Sequence, residues 1–168
     1  MGTDLQVRDL HPKNFYHKIE KLKSEDDIPF DLLLLADETI DAIEKYIYDS
    51  DVYLVKAPRH CKLVAVFVLH KMSSTEMEIK NIAVAESLQG KGIGSYLITE
   101  IGRMARAEKF ESILVGTPDS AWRQIQFYEK NGFTKYELKK DFFIKNYSEP
   151  IIENGVVLRD MLMLKLNL

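Results

Sequence analysis

At 168 residues, 46% hydrophobic and 29% charged, the chain has the size and balance of one soluble domain around a single core. Its net charge of -3, with both signs mixed along the sequence, argues against the basic surface that nucleic acid or an anionic membrane requires. Cys61 is the only cysteine, which excludes an internal disulfide and a cysteine-built zinc site and reads as a reduced structural thiol.

In chain order, residues 4–10 predict a short strand, and residues 12–22 a helix with Phe15, Ile19 and Leu22 on one face. The N-terminal run lacks the basic stretch and apolar core of a signal peptide, and no stretch is apolar for long enough to span a bilayer, so a cytoplasmic location is expected. Leu32 to Leu35 form an apolar helical turn, and Asp37 is placed to cap a helix through Tyr48, with Ile40, Ile43 and Ile47 along one stripe. Strands follow at residues 51–56 and 62–70, the second apolar on both faces as a central strand must be. Another strand is expected from Met77 to Val84, then a glycine-rich loop, a helix from Ile93 to about Lys109 and a strand from Ser112 to Val115. A helix from about Ser120 to Lys130 ends at Asn131-Gly132, and Phe133 to Leu138 form a strand. The tail reads as an aromatic, polar stretch from Phe142 to Glu153, a turn at Asn154-Gly155 and a last strand from Val156 to Leu166.

The loop Gln89-Gly90-Lys91-Gly92-Ile93-Gly94-Ser95 joins a strand to a helix. Glycines at alternate positions permit positive φ and close approach of a ligand, and amides at a helix N-terminus attract an anion such as pyrophosphate. Its G-x-G-x-G spacing fits neither a dinucleotide fingerprint nor a P-loop. By itself the loop fits both an anion site and an empty strand–helix turn.

Two further segments narrow the choice. Gln89 to Gly94 resembles the pyrophosphate loop of the GNAT superfamily of N-acetyltransferases. It follows Glu78-Ile79-Lys80-Asn81-Ile82-Ala83-Val84, which is similar to that family's splayed fourth strand. Downstream, Phe127-Tyr128-Glu129-Lys130-Asn131-Gly132-Phe133 resembles its F/L-Y-x-x-x-G-F signature. The three matches fall in the family's order across about a third of the chain. The tail resembles a poorly characterised bacterial subgroup.

The resemblance implies a single α/β domain over residues 1–168, with a mixed six- or seven-stranded sheet flanked by helices and splayed at a cofactor cleft. It implies acetyl-CoA as cosubstrate and transfer of its acetyl group to a primary amine of a small molecule or a protein, by direct attack on the thioester. The backbone of Ile82, Ala83 and Val84 would pair with the pantetheine arm. The amides of Gln89, Gly90, Lys91, Gly92, Ile93, Gly94 and Ser95 would hold the pyrophosphate.

Ser120 stands where the family often has an asparagine on the pantetheine, or else caps the next helix. Tyr128 matches the acid that protonates the departing thiolate, with a core tyrosine as the plainer reading. Glu78 sits where one branch of the family places its base, and equally suits a strand-start carboxylate. Tyr147, Glu149 and Asp31 are candidates for the lining of the acceptor pocket, with surface or packing residues as the plainer reading. The four histidines show no metal-ligand spacing, so no metal is expected. A homodimer formed through strand pairing is compatible with a domain of this kind. The rival function is an acyl-CoA-binding regulatory module without catalysis.

Overall fold

The computed structural model describes residues 17–58 and 61–168. The strand expected at residues 4–10, and the first five residues of the helix expected at 12–22, lie outside this range. Where the second can be checked it is corrected: Lys18–Lys21 is a strand, β1, paired antiparallel with β2 (Asp51–Lys56). Ile19 packs on the main core from that strand, so its burial, read as one turn of helix, belongs to a strand face.

Strands β3 (Leu63–Lys71) and β4 (Glu76–Val84) continue an antiparallel meander. Then come helix α3 (Ile93–Ala107), strand β5 (Ser112–Pro118), helix α4 (Trp122–Lys130) and strand β6 (Thr134–Lys139). The short hairpin β7–β8 (Ile152–Glu153, Val156–Val157) precedes the last strand, β9 (Met161–Asn167). Its turn has Asn154 and Gly155 both at positive φ, the geometry a two-residue hairpin loop favours. The main sheet has seven strands in the order β1-β2-β3-β4-β5-β9-β6, and only the β4–β5 pair is parallel.

Apolar side chains cover both faces of this sheet. Phe67, Met77, Ile79 and Ile113 meet Leu97 and Ile101 of α3 on one side. Val66, Val68 and Ala83 meet Leu33 of α1 (Phe30–Leu33) and Ile43 and Ile47 of α2 (Ile40–Ile47) on the other. β3 supplies both faces, which is why its sequence shows no alternation. Ile40, expected on the buried stripe of α2, is exposed. Cys61 is also exposed rather than structural. The cap of α2 is Thr39, whose hydroxyl accepts from the Ala42 amide at 3.1 Å, and not Asp37.

Two local features shape the site. Lys80 is an extra residue in β4, because Leu69 pairs with Ile79 while Val68 pairs with Asn81. This bulge inverts the alternation, so Met77 and Ile79 before it and Ile82 and Val84 after it all face α3. The β4–β5 ladder stops at Ile79 opposite Val115, although both strands continue. Beyond that point they splay, and one edge of β4 is open.

The end of α4 explains the Tyr-x-x-x-Gly-Phe spacing. Gly132 adopts φ 92°, its amide donates to the Glu129 carbonyl at 3.1 Å, and the Phe133 amide donates to the Tyr128 carbonyl at 3.1 Å. This Schellman closure brings the Phe133 ring edge-on to Tyr128, with centroids 5.5 Å apart.

Candidate active site

The splay opens a cleft of about 970 Å³ between β4, the glycine loop, α4 and the segment after α1. Ile82, Ala83 and Val84 form the β4 side of this wall. Gln89, Gly90, Gly92, Ile93, Gly94 and Ser95 form the loop side.

Gln89 braces the loop by donating its side-chain amide to the Val84 carbonyl at 2.9 Å. Gly92 is the residue preceding α3 and adopts φ 83°, a conformation that L side chains rarely take. The first helical bond runs from the Tyr96 amide to the Gly92 carbonyl at 3.0 Å. The amides of Ile93, Gly94 and Ser95 therefore precede the hydrogen-bonded ladder, at the positive end of a fifteen-residue helix. Gly94 is required for a different reason. A Cβ there would lie 3.1 Å from the Phe127 ring, so the missing side chain lets α3 and α4 meet.

Two expected cleft residues stand elsewhere. Lys91 is exposed and outside the wall, as is Ser120. Ser120 does not cap α4 either: Ala121 occupies that position without a side-chain bond. Arg123 and Gln124, one turn further along, line the cleft instead. Helical phase after Ala121 turns them inward, and no motif marks either one.

Tyr128 lines the cleft from α4, buried to 8% exposure between Phe127 and Phe133. Burial pushes its hydroxyl well above the usual tyrosine range, so it keeps its proton at neutral pH. Tyr128 is thus both a core ring and a cleft residue; the two sequence readings are compatible.

A second cavity, of about 330 Å³, lies on the α2 face of β4 and meets the cleft at Ala36, Asp37, Glu38, Gly116 and Pro118. Glu78 lines this chamber rather than the cleft, 7% exposed, with its carboxylate 3.2 Å from Lys80 Nζ. The far wall is α5 (Phe142–Asn146) and Tyr147, a helix in a stretch the sequence marked only as aromatic and polar. Lys45 of α2 ties it down, donating to the Asn146 carbonyl at 2.6 Å. Tyr147 is therefore a chamber residue, while Glu149 and Asp31 are exposed and line neither cavity.

Asp37 is the residue sequence reasoning most clearly misplaced. Its carboxylate accepts from the Tyr46 hydroxyl at 2.9 Å, the Tyr147 hydroxyl at 3.3 Å and the Glu38 amide at 2.8 Å. Burial raises its carboxyl above the usual range, and those three donors oppose the shift. Asn81 extends the network, donating to Tyr46 Oη at 3.2 Å and to the Leu33 carbonyl at 3.0 Å. Asp37 thus joins α2, the tail helix and the passage between the two cavities.

An open strand edge, a helix N-terminus behind a left-handed glycine, and a buried tyrosine thus face one cleft. Residues 49–135 match the family model described as an acetyltransferase (GNAT) domain. The chain is 38% identical over 151 residues to the uncharacterized N-acetyltransferase YvbK of Bacillus subtilis, covering 90% of this chain and 96% of that one. It superposes on a GNAT family acetyltransferase from Elizabethkingia anophelis with acetyl-CoA bound, with a TM-score of 0.85, 36% identity, and coverage of 90% and 98% of the two chains. A Bacillus subtilis acetyltransferase in complex with CoA matches with a TM-score of 0.80, 38% identity, and coverage of 90% and 99%. The chain belongs to the GNAT acetyltransferase family. Among the described residues no group of side chains is arranged to hold a metal ion, and no helix is long and apolar enough to cross a membrane.

Proposed function

We propose that the protein transfers the acetyl group of acetyl-CoA to a primary amine by direct attack on the thioester. The single observation that carries this reading is the splay after Ile79 and Val115. It opens one edge of β4 beside the glycine loop and Tyr128, and connects that cleft to a chamber with carboxylates in its wall. In this scheme the pantetheine amides pair with β4 between Ile82 and Val84, and the amides at the start of α3 hold the pyrophosphate.

The acceptor enters from the chamber as an ammonium ion and loses a proton toward Glu78, directly or through water. Its nitrogen attacks the thioester carbonyl, and a β4 amide near Ile82 stabilises the developing oxyanion. The carbon–sulfur bond breaks, and Tyr128 donates its proton to the leaving sulfur. After attack the nitrogen loses its second proton, which restores the tyrosine by way of solvent, while the proton taken by Glu78 is released to solvent.

Acetyl-CoA at 100 times its dissociation constant is expected to add about 2.7 kcal/mol of stability. For a domain of this size that raises Tm by roughly 5–10 °C in a thermal unfolding scan. No shift at millimolar acetyl-CoA removes the basis of this function.

Gly92→Val is the sharper local test. Nothing lies within 4 Å of the added Cβ, so packing is untouched, but φ 83° costs a β-branched residue on the order of 1–2 kcal/mol. With the side chain also standing over the loop amides, coenzyme A affinity by calorimetry is expected to fall at least about tenfold. Wild-type affinity in a folded Gly92→Val protein would move the pyrophosphate elsewhere. Gly94→Val is a poorer probe, because it also pushes on Phe127.

A further inference from the structure

The chamber that meets the cofactor cleft is charged in an ordered way. Three carboxylates (Asp37, Glu38, Glu78) and three lysines (Lys45, Lys80, Lys139) face it. Glu78 and Lys80 pair with each other at 3.2 Å, and the Lys80 charge also acts on Asp37. Of the remaining four, Asp37 and Glu38 lie where the chamber joins the cleft and line both cavities. Lys45 and Lys139 line the chamber alone.

Among the described residues neither lysine has a carboxylate within ion-pairing distance, and neither does Glu38 have a cation. Lys45 donates to a backbone carbonyl and stands 5.7 Å from the Tyr147 ring centroid, which fixes its direction without neutralising it. Burial raises the Glu38 carboxyl, and Glu153 and Asp37 add to the shift, as expected of negative charge gathered without a counter-ion. The wall therefore has an unspent negative end beside the thioester cleft and an unspent positive end away from it. A space of about 330 Å³ holds on the order of ten non-hydrogen atoms, at roughly 30 Å³ for each water-sized unit.

We infer that the chamber takes a small zwitterionic acceptor: a primary amine, held as its ammonium near Asp37 and Glu38, whose other end carries a carboxylate or similar anion toward Lys139 and Lys45. This rests on the acetyl-transfer reading and adds the class of acceptor to it. The aromatic walls, Tyr46 and Phe142 among them, suit an apolar stem between the two charges. A polyamine offers the lysines nothing but repulsion. A protein N-terminus would have to pass the closure that Tyr147 makes with Asp37 and Lys45 makes with α5.

The test is thiol release at saturating acetyl-CoA with matched acceptors: α- and ω-amino acids of two to six carbons, the amines left by removing their carboxyl group, polyamines, and peptide amides with a free N-terminus. The amino acids are expected to exceed their matched amines at least tenfold in kcat/KM. In Lys139→Gln and Lys45→Gln that preference shrinks severalfold, the change lying in KM rather than kcat. Both variants should retain the wild-type thermal shift with coenzyme A, which shows the cleft intact.

Equal or better turnover of the matched amines or polyamines overturns the zwitterion while leaving acetyl transfer standing. Turnover of peptide amides above the amino acids overturns it in favour of a protein acceptor. A preference for acids that neither lysine variant changes removes the charge assignment. No thiol release with any acceptor overturns both the inference and the transferase reading beneath it.

Discussion

Tyr128→Phe is expected to lower turnover by about 10²–10⁴-fold, the range for loss of one general acid, with coenzyme A affinity little changed. The substitution is unusually clean here. The ring sits edge-on between Phe127 and Phe133, with centroids 5.2 and 5.5 Å away, and phenylalanine preserves both contacts. Only the hydroxyl is lost, and burial keeps that hydroxyl protonated at neutral pH. The measurement is steady-state thiol release alongside calorimetric affinity. An unchanged rate removes the acid from Tyr128. A wild-type protein that binds acetyl-CoA but releases no thiol with any amine points instead to a regulatory acyl-CoA-binding module.

Glu78→Gln should reduce turnover by roughly 10²-fold near neutral pH and recover much of it in alkaline solution. The logic rests on the acceptor. A primary ammonium with pKa near about 10 needs a base at pH 7 and needs none once solution has deprotonated it. Glutamine keeps the volume of a side chain that is 7% exposed in the chamber wall. It also frees Lys80 from its 3.2 Å partner, and Lys80 retains partial access to solvent. Rate against pH with one fixed acceptor separates the outcomes. A profile lowered by the same factor at every pH returns Glu78 to a structural role in the Lys80 pair. A deficit that closes with rising pH is the signature of lost proton removal.

The glycine-loop side of the cleft was readable in the sequence because its parts are local. The strand-to-helix loop from Gln89 to Ser95 needs glycines for its own backbone, and Gly132 closes α4 for the same reason, so both leave fixed spacings. Even the β4 bulge left a trace: the apolar residues step from Met77 and Ile79 to Ile82 and Val84, an interval of three within a strand. Neighbouring signals failed where the deciding contact is distant. Lys18–Lys21 has spacing compatible with a helix, yet pairing with β2, more than thirty residues on, makes it a strand. Asp37 has the chemistry of a helix cap, but its partners are Tyr46 and Tyr147, the second 110 residues away.

The chamber beside the cleft depends on such contacts almost entirely. Its walls come from the turn after α1, from α2, from β4 and from a tail helix that precedes β9 in sequence but folds back onto Lys45. None of these segments contains a motif, because a side chain selected to face a cavity need only match its neighbours across that cavity. By itself the sequence determined the family, the order of the elements from β2 to β6, the glycine loop and the tyrosine facing the cleft. The loop and the elements follow from backbone conformation or periodicity within a few residues, while the family and the tyrosine rest on the resemblance that three ordered motifs carry. Only the tertiary structure decided that Glu78 faces a chamber beside the cleft, that Ser120 and Lys91 stand outside the cleft, and that Asp37, Glu38, Lys45 and Lys139 line that one chamber. Those facts depend on which strand edge is left open and where the tail returns, and distances of that kind are set by packing across the whole sheet.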